Sequence, residues 1–241
     1  MAIYTSKTRI DLEDVGYSNK ITNKAILKIL ENAGARQSET IHFGLNDMEN
    51  VGFSWILLGW KVKILKRPIY NEELTINTWG RDSNRIFTYR DYEIYDESGE
   101  LCAIATSKWA IVDINTGKLR ELTPEIIEKY QCETKKVFEE DYTLKLKEPV
   151  TIIRKQEYKA QRRDIDINKH IHNLYYLDYA YEVLPEEVYE APECNNIEIM
   201  YKKQIRLNDE FKCLYTKEEN QNIVTMKSED ETTLHAIIKL Y

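Results

Sequence analysis

The chain runs twice through the same succession of apolar and polar patterns. Residues 3–10 (IYTSKTRI) and 150–160 (VTIIRKQEYKA) are rich in β-branched and aromatic residues, which predicts an opening strand in each half. A helical period follows each. In ITNKAILKILENAG the residues Ile21, Ala25, Ile29 and Ala33 stand four apart, with Ser18 or Asn19 as the expected cap and Gly34 as the expected stop. In the second half Asn173 precedes LYYLDYAYEVL, which Pro185 closes. Apolar and aromatic side chains lie on nearly every face of that helix, which predicts that protein wraps it on most sides. Strand-like runs complete each half: FSWILLGWKVKILK, ELTINTWGR, RIFTYRDYEIYD and ELCAIATSKWAIVD in the first, NIEIMYKKQIRL, EFKCLYTKEE, NIVTMKS and TTLHAIIKLY in the second. The order strand, helix, four strands, repeated, is an internal duplication.

The halves differ in texture, since all eight glycines fall between Gly16 and Gly117. The stretch between them is charged and contains proline, and reads as a linker. The expected organisation is therefore an N-terminal repeat over 1–120, a linker over 121–148 and a C-terminal repeat over 149–241. Net charge is -7, from 34 basic and 41 acidic residues, which argues against a nucleic-acid binder because phosphate backbones need a positive field. No apolar run is long enough to span a membrane. Cys102, Cys132, Cys194 and Cys213 show no CxxC spacing and follow no secretory signal, which points to a reduced, cytoplasmic protein.

The densest chemistry lies in DIDINKHIHN, residues 164–173, directly before the second helix. Polar groups crowded beside an apolar element are costly unless paired or working. In an extended segment the two-residue period would bring Asp166, Asn168 and His170 to one side, as a carboxylate, an amide and an imidazole. Such a set can hydrolyse a thioester. His170 would activate the water or donate a proton, Asn168 would orient the water or the carbonyl, and Asp166 would fix its partners or itself act as base. The pattern leaves open which of Asp166 and His170 takes the proton. Backbone N–H groups near Asn173 and Leu174, at the helix start, are candidates for an oxyanion site. The first half has no equivalent, because its DLEDVGYSN contains acids but no histidine. One active site per chain follows, built on the second repeat, which leaves the first free to shape a slot for the acyl chain of the thioester.

Plainer readings stand beside these. Asp164 reads as a helix cap. His170 and His172 could form half a metal site, but no further ligand stands at a recognisable spacing, so neither metal nor cofactor is expected. His42 and His235 read as surface residues, and Trp55, Trp60, Trp79 and Trp109 as core or as the lining of an acyl slot. The pairs Lys66-Arg67, Arg162-Arg163 and Lys202-Lys203 read as solvated faces or as docking points for an acidic partner.

RRDIDINKHIHNLYYLDYAYEVL resembles the motif D-x-N-x-H-x-N-N-x-x-Y of the plant-type acyl-acyl carrier protein thioesterases. WKVKILKRPIYNEELTINTWG and ATSKWAIVDINTGKLRELTPEI resemble their first half, so the likeness covers most of the chain. It implies an α+β fold, a tandem (double) hotdog in which a curved antiparallel sheet wraps a central helix in each repeat. It also implies hydrolysis of fatty acyl-phosphopantetheine on acyl carrier protein to free fatty acid, in a bacterial-like member of the family. Two departures stand out. Where plant members have Tyr-Arg-Arg-Glu-Cys, this chain has Tyr201, Lys202, Lys203, Gln204 and Ile205, so no thiol nucleophile stands there and Gln204 keeps hydrogen bonding without the charge. His172 replaces the first Asn of the motif's pair. Arg162, Arg163, Lys202 and Lys203 become the expected docking surface for the carrier. An acyl-CoA thioesterase and a non-catalytic acyl-binding protein are the alternatives, and pairing into a homodimer stays open.

Overall fold

The computed structural model describes residues 3–81, 84–140, 145–189 and 194–241. The chain divides into two compact units, Met1–Tyr142 and Thr143–Tyr241.

In the first unit β1 (Tyr4–Arg9) leads through a 3-10 turn (Leu12–Asp14) into α1 (Asn23–Thr40), and a second 3-10 turn and the short α2 (Met48–Val51) precede β2 (Phe53–Ile64). Then come β3 (Glu73–Gly80), β4 (Phe87–Tyr95), β5 (Leu101–Asp113), β6 (Leu119–Arg120) and α3 (Pro124–Tyr130). The second unit holds β7 (Arg154–Lys159), a 3-10 turn (Arg162–Asp164), α4 (Tyr175–Val183), the short α5 (Glu186–Tyr189), β8 (Asn196–Tyr201), β9 (Glu210–Glu218), β10 (Gln221–Ser228) and β11 (Leu234–Leu240). Within the first unit the strands lie in the order β1-β3-β4-β5-β2, with β6 beside β5; within the second they lie β7-β9-β10-β11-β8. All the registered pairs are antiparallel. Numbered from each unit's first strand, both sheets read 1-3-4-5-2, with the helix between strands 1 and 2. The duplication seen in the residue pattern is thus a duplication of topology.

Each helix lies against its own sheet: α1 on β1 and β3, α4 on β7, β9 and β11. Tyr176, Leu177, Ala180 and Val183 of α4 are buried, and Glu182 is its one exposed residue, as the all-round apolar pattern predicts. Tyr179 of α4 meets Tyr158 and Phe211 at centroid distances of 5.0 and 4.9 Å, fastening the helix to β7 and β9 through aromatic edges. Trp60 and Trp79 are fully buried core residues, while Trp55 and Trp109 are half-buried.

Three expectations need correction. Thr22, not Ser18 or Asn19, caps α1, its Oγ1 accepting the Ala25 N–H at 3.1 Å. Gly34 does not stop the helix, which runs on to Thr40. A Cβ there would stand 2.9 Å from the Tyr92 hydroxyl and 3.2 Å from Arg90 Cδ, so glycine serves close approach of the helix to β4. The segment read as a linker from residue 121 begins as part of the first unit. Leu122, Ile126 and Tyr130 are buried with Phe43, Phe53 and Ile111, and the Val137 N–H donates to Asp91 at 3.0 Å. Residues 141–144 of that segment lie outside the described residues.

Candidate active site

Asp166, Asn168 and His170 are not in an extended segment. Ile165 and Ile171 pair as an antiparallel bridge, and the residues between them form a tight turn: the Asp166 N–H donates to the His170 carbonyl at 2.9 Å and the Lys169 N–H to the Asp166 carbonyl at 3.0 Å. Lys169 takes a left-handed φ of 64° to close it. Asp166 holds the turn from within. Its Oδ1 accepts the Asn168 N–H at 2.8 Å and the His170 N–H at 3.3 Å, an arrangement short acidic side chains favour. The Asn168 amide reaches Asp166 Oδ2 at 3.4 Å. A turn and not strand alternation therefore holds the three residues together, the Asp166 carboxylate touching the Asn168 amide and the His170 backbone, with Asn168 exposed and His170 half-buried.

His170 pairs across a bridge with Arg206, and the next residue, Ile171, donates its N–H to the Ile205 carbonyl at 2.8 Å. The turn is thus stitched to the segment carrying Lys202, Lys203 and Gln204. Burial holds the His170 imidazole below its ordinary pKa; Asp166 and Asp209 pull it up, and Arg206 pushes it down. The net direction favours neutral imidazole, the form that accepts a proton.

Ile205, where plant members have cysteine, is fully buried, and its N–H donates to the Tyr176 hydroxyl at 3.3 Å. Burial pushes the Cys102 thiol up to about 11 and the Cys213 thiol up as well, so neither favours the thiolate. Gln204 is exposed, between anchored neighbours. The expected oxyanion donor at Leu174 is engaged in this structure, its N–H donating to His172 Nδ1 at 3.3 Å. Asn173 is half-buried, and its carbonyl accepts the Tyr201 hydroxyl at 3.1 Å. Arg162 and Arg163 sit exposed on the 3-10 turn, and Lys202 and Lys203 are exposed too. Asp164, expected as a helix cap, does not cap α4: it closes the 3-10 turn that Gln161 begins, its Oδ2 accepting the Gln161 N–H at 2.8 Å and the Tyr179 hydroxyl at 2.6 Å.

His235 is a correction. It is buried, and its Nδ1 donates to the Lys203 carbonyl at 2.8 Å, while its own carbonyl accepts the Lys202 N–H. A histidine in an alternating strand does not announce which face it takes, so only the register of β11 could have revealed it. His42 is exposed, as expected. Among the described residues no group of three or more His, Cys, Asp or Glu could hold a metal, and no helix is long and apolar enough to cross a membrane.

The first unit builds the same turn from other residues. Val15 and Ile21 form the bridge, the Gly16 N–H donates to the Lys20 carbonyl at 3.0 Å, the Asn19 N–H to the Gly16 carbonyl at 2.9 Å, and Asn19 has φ 60°. Gly16, Ser18 and Lys20 stand where Asp166, Asn168 and His170 stand in the second.

Comparison with known proteins adds the family. Residues 1–130 match the acyl-ACP thioesterase N-terminal domain and residues 147–239 the C-terminal domain, so the chain belongs to the acyl-ACP thioesterase family. The oleoyl-acyl carrier protein thioesterase 2 of Arabidopsis thaliana, chloroplastic, is 25% identical over 238 residues, which are 92% of this chain and 65% of that protein. The chain thus spans just under two thirds of that relative's length. Among solved structures, an acyl-ACP thioesterase from Bacteroides thetaiotaomicron superposes with a TM-score of 0.86 at 23% identity, over 99% of this chain and 97% of its own. The 12:0-ACP thioesterase from Umbellularia californica does so with a TM-score of 0.84 at 16% identity, over 100% and 96%.

Proposed function

We propose that this protein hydrolyses the thioester between a fatty acyl chain and the phosphopantetheine of acyl carrier protein, and that it does so at the Asp166–His170 turn. The observation that carries the reading is the difference between the paired turns. On one backbone, Gly16, Ser18 and Lys20 are replaced by Asp166, Asn168 and His170 in a chain of the acyl-ACP thioesterase family.

Neutral His170 takes a proton from water as the oxygen attacks the thioester carbonyl. The tetrahedral intermediate collapses with cleavage of the C–S bond, the proton passes to the departing thiolate, and the carboxylic acid is released. Asp166 keeps its carboxylate on the backbone of the turn, a positioning role. The Asn168 amide is free at its outer edge to orient the water or the carbonyl, and Gln204 supplies a further hydrogen-bonding group beside the bridge to His170. The Asn173 N–H and, once His172 rotates away, the Leu174 N–H are the oxyanion donors. The matching 1-3-4-5-2 sheets support a tandem hotdog with one repeat in each unit. The enzyme is cytoplasmic, and its carrier docks on Arg162, Arg163, Lys202 and Lys203, all exposed.

The test is a panel of acyl-carrier protein and acyl-CoA substrates of graded chain length. Release of free fatty acid from the carrier-linked series, with a higher kcat/KM than from CoA, supports the reading. Preference for CoA would transfer it to an acyl-CoA thioesterase, and binding without turnover would make this an acyl-binding protein.

A further inference from the structure

The duplicated turns extend to the segment that faces each of them, and there the copies differ in one informative residue. Lys66-Arg67-Pro68 corresponds to Lys203-Gln204-Ile205: the Ile21 N–H donates to the Pro68 carbonyl at 2.9 Å as the Ile171 N–H does to the Ile205 carbonyl at 2.8 Å. The Thr22 N–H donates to the Asp14 carbonyl at 2.9 Å as the His172 N–H does to the Asp164 carbonyl at 2.8 Å. Residues 69 and 206 make the same bridge, to Lys20 and His170. Asn71 and Asn208 carry the same left-handed φ, 72° and 68°. In the first unit Arg67 turns its guanidinium back onto the start of α1. Nη1 donates to the Ile21 carbonyl at 2.9 Å and Nη2 to Asn23 Oδ1 at 2.6 Å, and Asn23 is buried. The counterparts of those acceptors are the Ile171 carbonyl and Asn173 Oδ1. The counterpart of Arg67 is Gln204, shorter, uncharged and exposed, and Asn173 is correspondingly more open than Asn23.

We infer that the place filled by the Arg67 guanidinium in the first unit is a substrate subsite in the second, where the Ile171 carbonyl and Asn173 Oδ1 receive an amide N–H of the pantetheine arm. The chemistry fits. An acceptor pair that satisfies a bidentate cation calls for N–H donors, and pantetheine offers an amide N–H a pair of methylenes from its sulfur. Ile171 directly follows His170, so an arm held here presents its thioester within reach of the imidazole. The inference rests on the thioesterase reading and names the part of the substrate that this site holds. Carrier protein and coenzyme A share the arm, so the subsite reads the amide and leaves the choice of carrier to the surface.

The experiment measures binding, separately from turnover. By calorimetry, the wild type is titrated with S-hexyl pantetheine, a thioether that cannot be hydrolysed, and with S-hexyl mercaptoethanol, which has no amide. The wild type should bind the first about tenfold more tightly, the worth of a hydrogen bond whose loss leaves an acceptor unpaired. Asn173→Leu should erase that gap and Asn173→Asp, which keeps an acceptor, should preserve it. Gln204→Arg, at an exposed position, should also erase it by seating a guanidinium as Arg67 does. A wild type without the gap, or a gap that survives both Asn173→Leu and Gln204→Arg, overturns the subsite. Hydrolysis is read in a separate assay. A protein that shows the gap but turns over no thioester keeps the subsite and loses the thioesterase reading; one that hydrolyses without the gap does the reverse. S-hexyl coenzyme A and the S-hexyl carrier protein should lose affinity equally in Asn173→Leu.

Discussion

The turns at Gly16–Lys20 and Asp166–His170 have one backbone and two chemistries. Both close by the same pair of hydrogen bonds and both need a left-handed residue, Asn19 in one and Lys169 in the other. Asparagine tolerates that conformation readily, lysine less so. The first turn is therefore the more relaxed solution, and the second carries mild strain together with a carboxylate, an amide and an imidazole. In the second turn Asp166 adds side-chain hydrogen bonds to the N–H groups of Asn168 and His170, which offsets part of that strain. The fold requires the turn but not its side chains. Where the fold alone is served, glycine, serine and lysine suffice.

The largest effect is expected at His170. His170→Ala should lower kcat by about 10² to 10⁴, the range for loss of a general base, while the melting temperature stays near that of the wild type. A folded variant with wild-type turnover would remove His170 from the mechanism. The wild type should also show a pH limb: because burial depresses the imidazole, kcat/KM should rise as pH increases through a value below the ordinary histidine range and then level off. A limb displaced above that range would mean that a different group titrates.

A smaller effect, in stability alone, is expected at Arg67. Arg67→Ala removes the guanidinium bonds to Asn23 and the Ile21 carbonyl, and should cost about 1–3 kcal/mol in urea unfolding with kcat unchanged. A loss of turnover with no loss of stability would move the site's boundary into the first unit. Reversing charge at Arg162 and Arg163 should raise KM for carrier-linked substrate several-fold at low salt, less as salt is added, and leave a short uncharged thioester unaffected. Equal loss on both substrates would make the arginines structural. The least effect belongs to the cysteines. Replacing Cys102, Cys132, Cys194 and Cys213 together by alanine should spare turnover and cost stability only at the buried Cys102 and Cys213. Inactivation traceable to one thiol would refute the water mechanism.

Much of this was legible in the residue pattern, for definite reasons. Strands such as Phe53–Ile64 and Leu101–Asp113 are long and rich in β-formers, and the second helix is apolar on nearly all faces, so periodicity alone located them. The turn around Asn168 was misread as extended because alternation in sequence does not distinguish a strand from a tight turn whose closure falls on an ordinary lysine. Ser18 and Asn19 looked like caps because such residues serve turns and helix starts alike, and here they serve the turn. Gly34 looked like a stop because glycine marks helix ends, whereas close packing against Tyr92 and Arg90 appears nowhere in local sequence. Arg67 and Gln204 could have been matched by aligning the repeats at Asn71 and Asn208. Their significance emerges only when the hydrogen bonds of both copies are set side by side.

The most direct measurement transplants one turn into the other. Asp166→Gly, Ile167→Tyr, Asn168→Ser, Lys169→Asn and His170→Lys together write the first unit's turn into the second, in a backbone that this sequence already adopts between Val15 and Ile21. Hydrolysis of acyl-carrier protein and thermal unfolding are then compared with the wild type. The melting temperature should be unchanged or slightly higher, and turnover should fall by at least the factor expected for His170→Ala. A transplanted protein that folds and still hydrolyses the carrier-linked thioester at the wild-type rate would contradict the assignment of the chemistry to this turn.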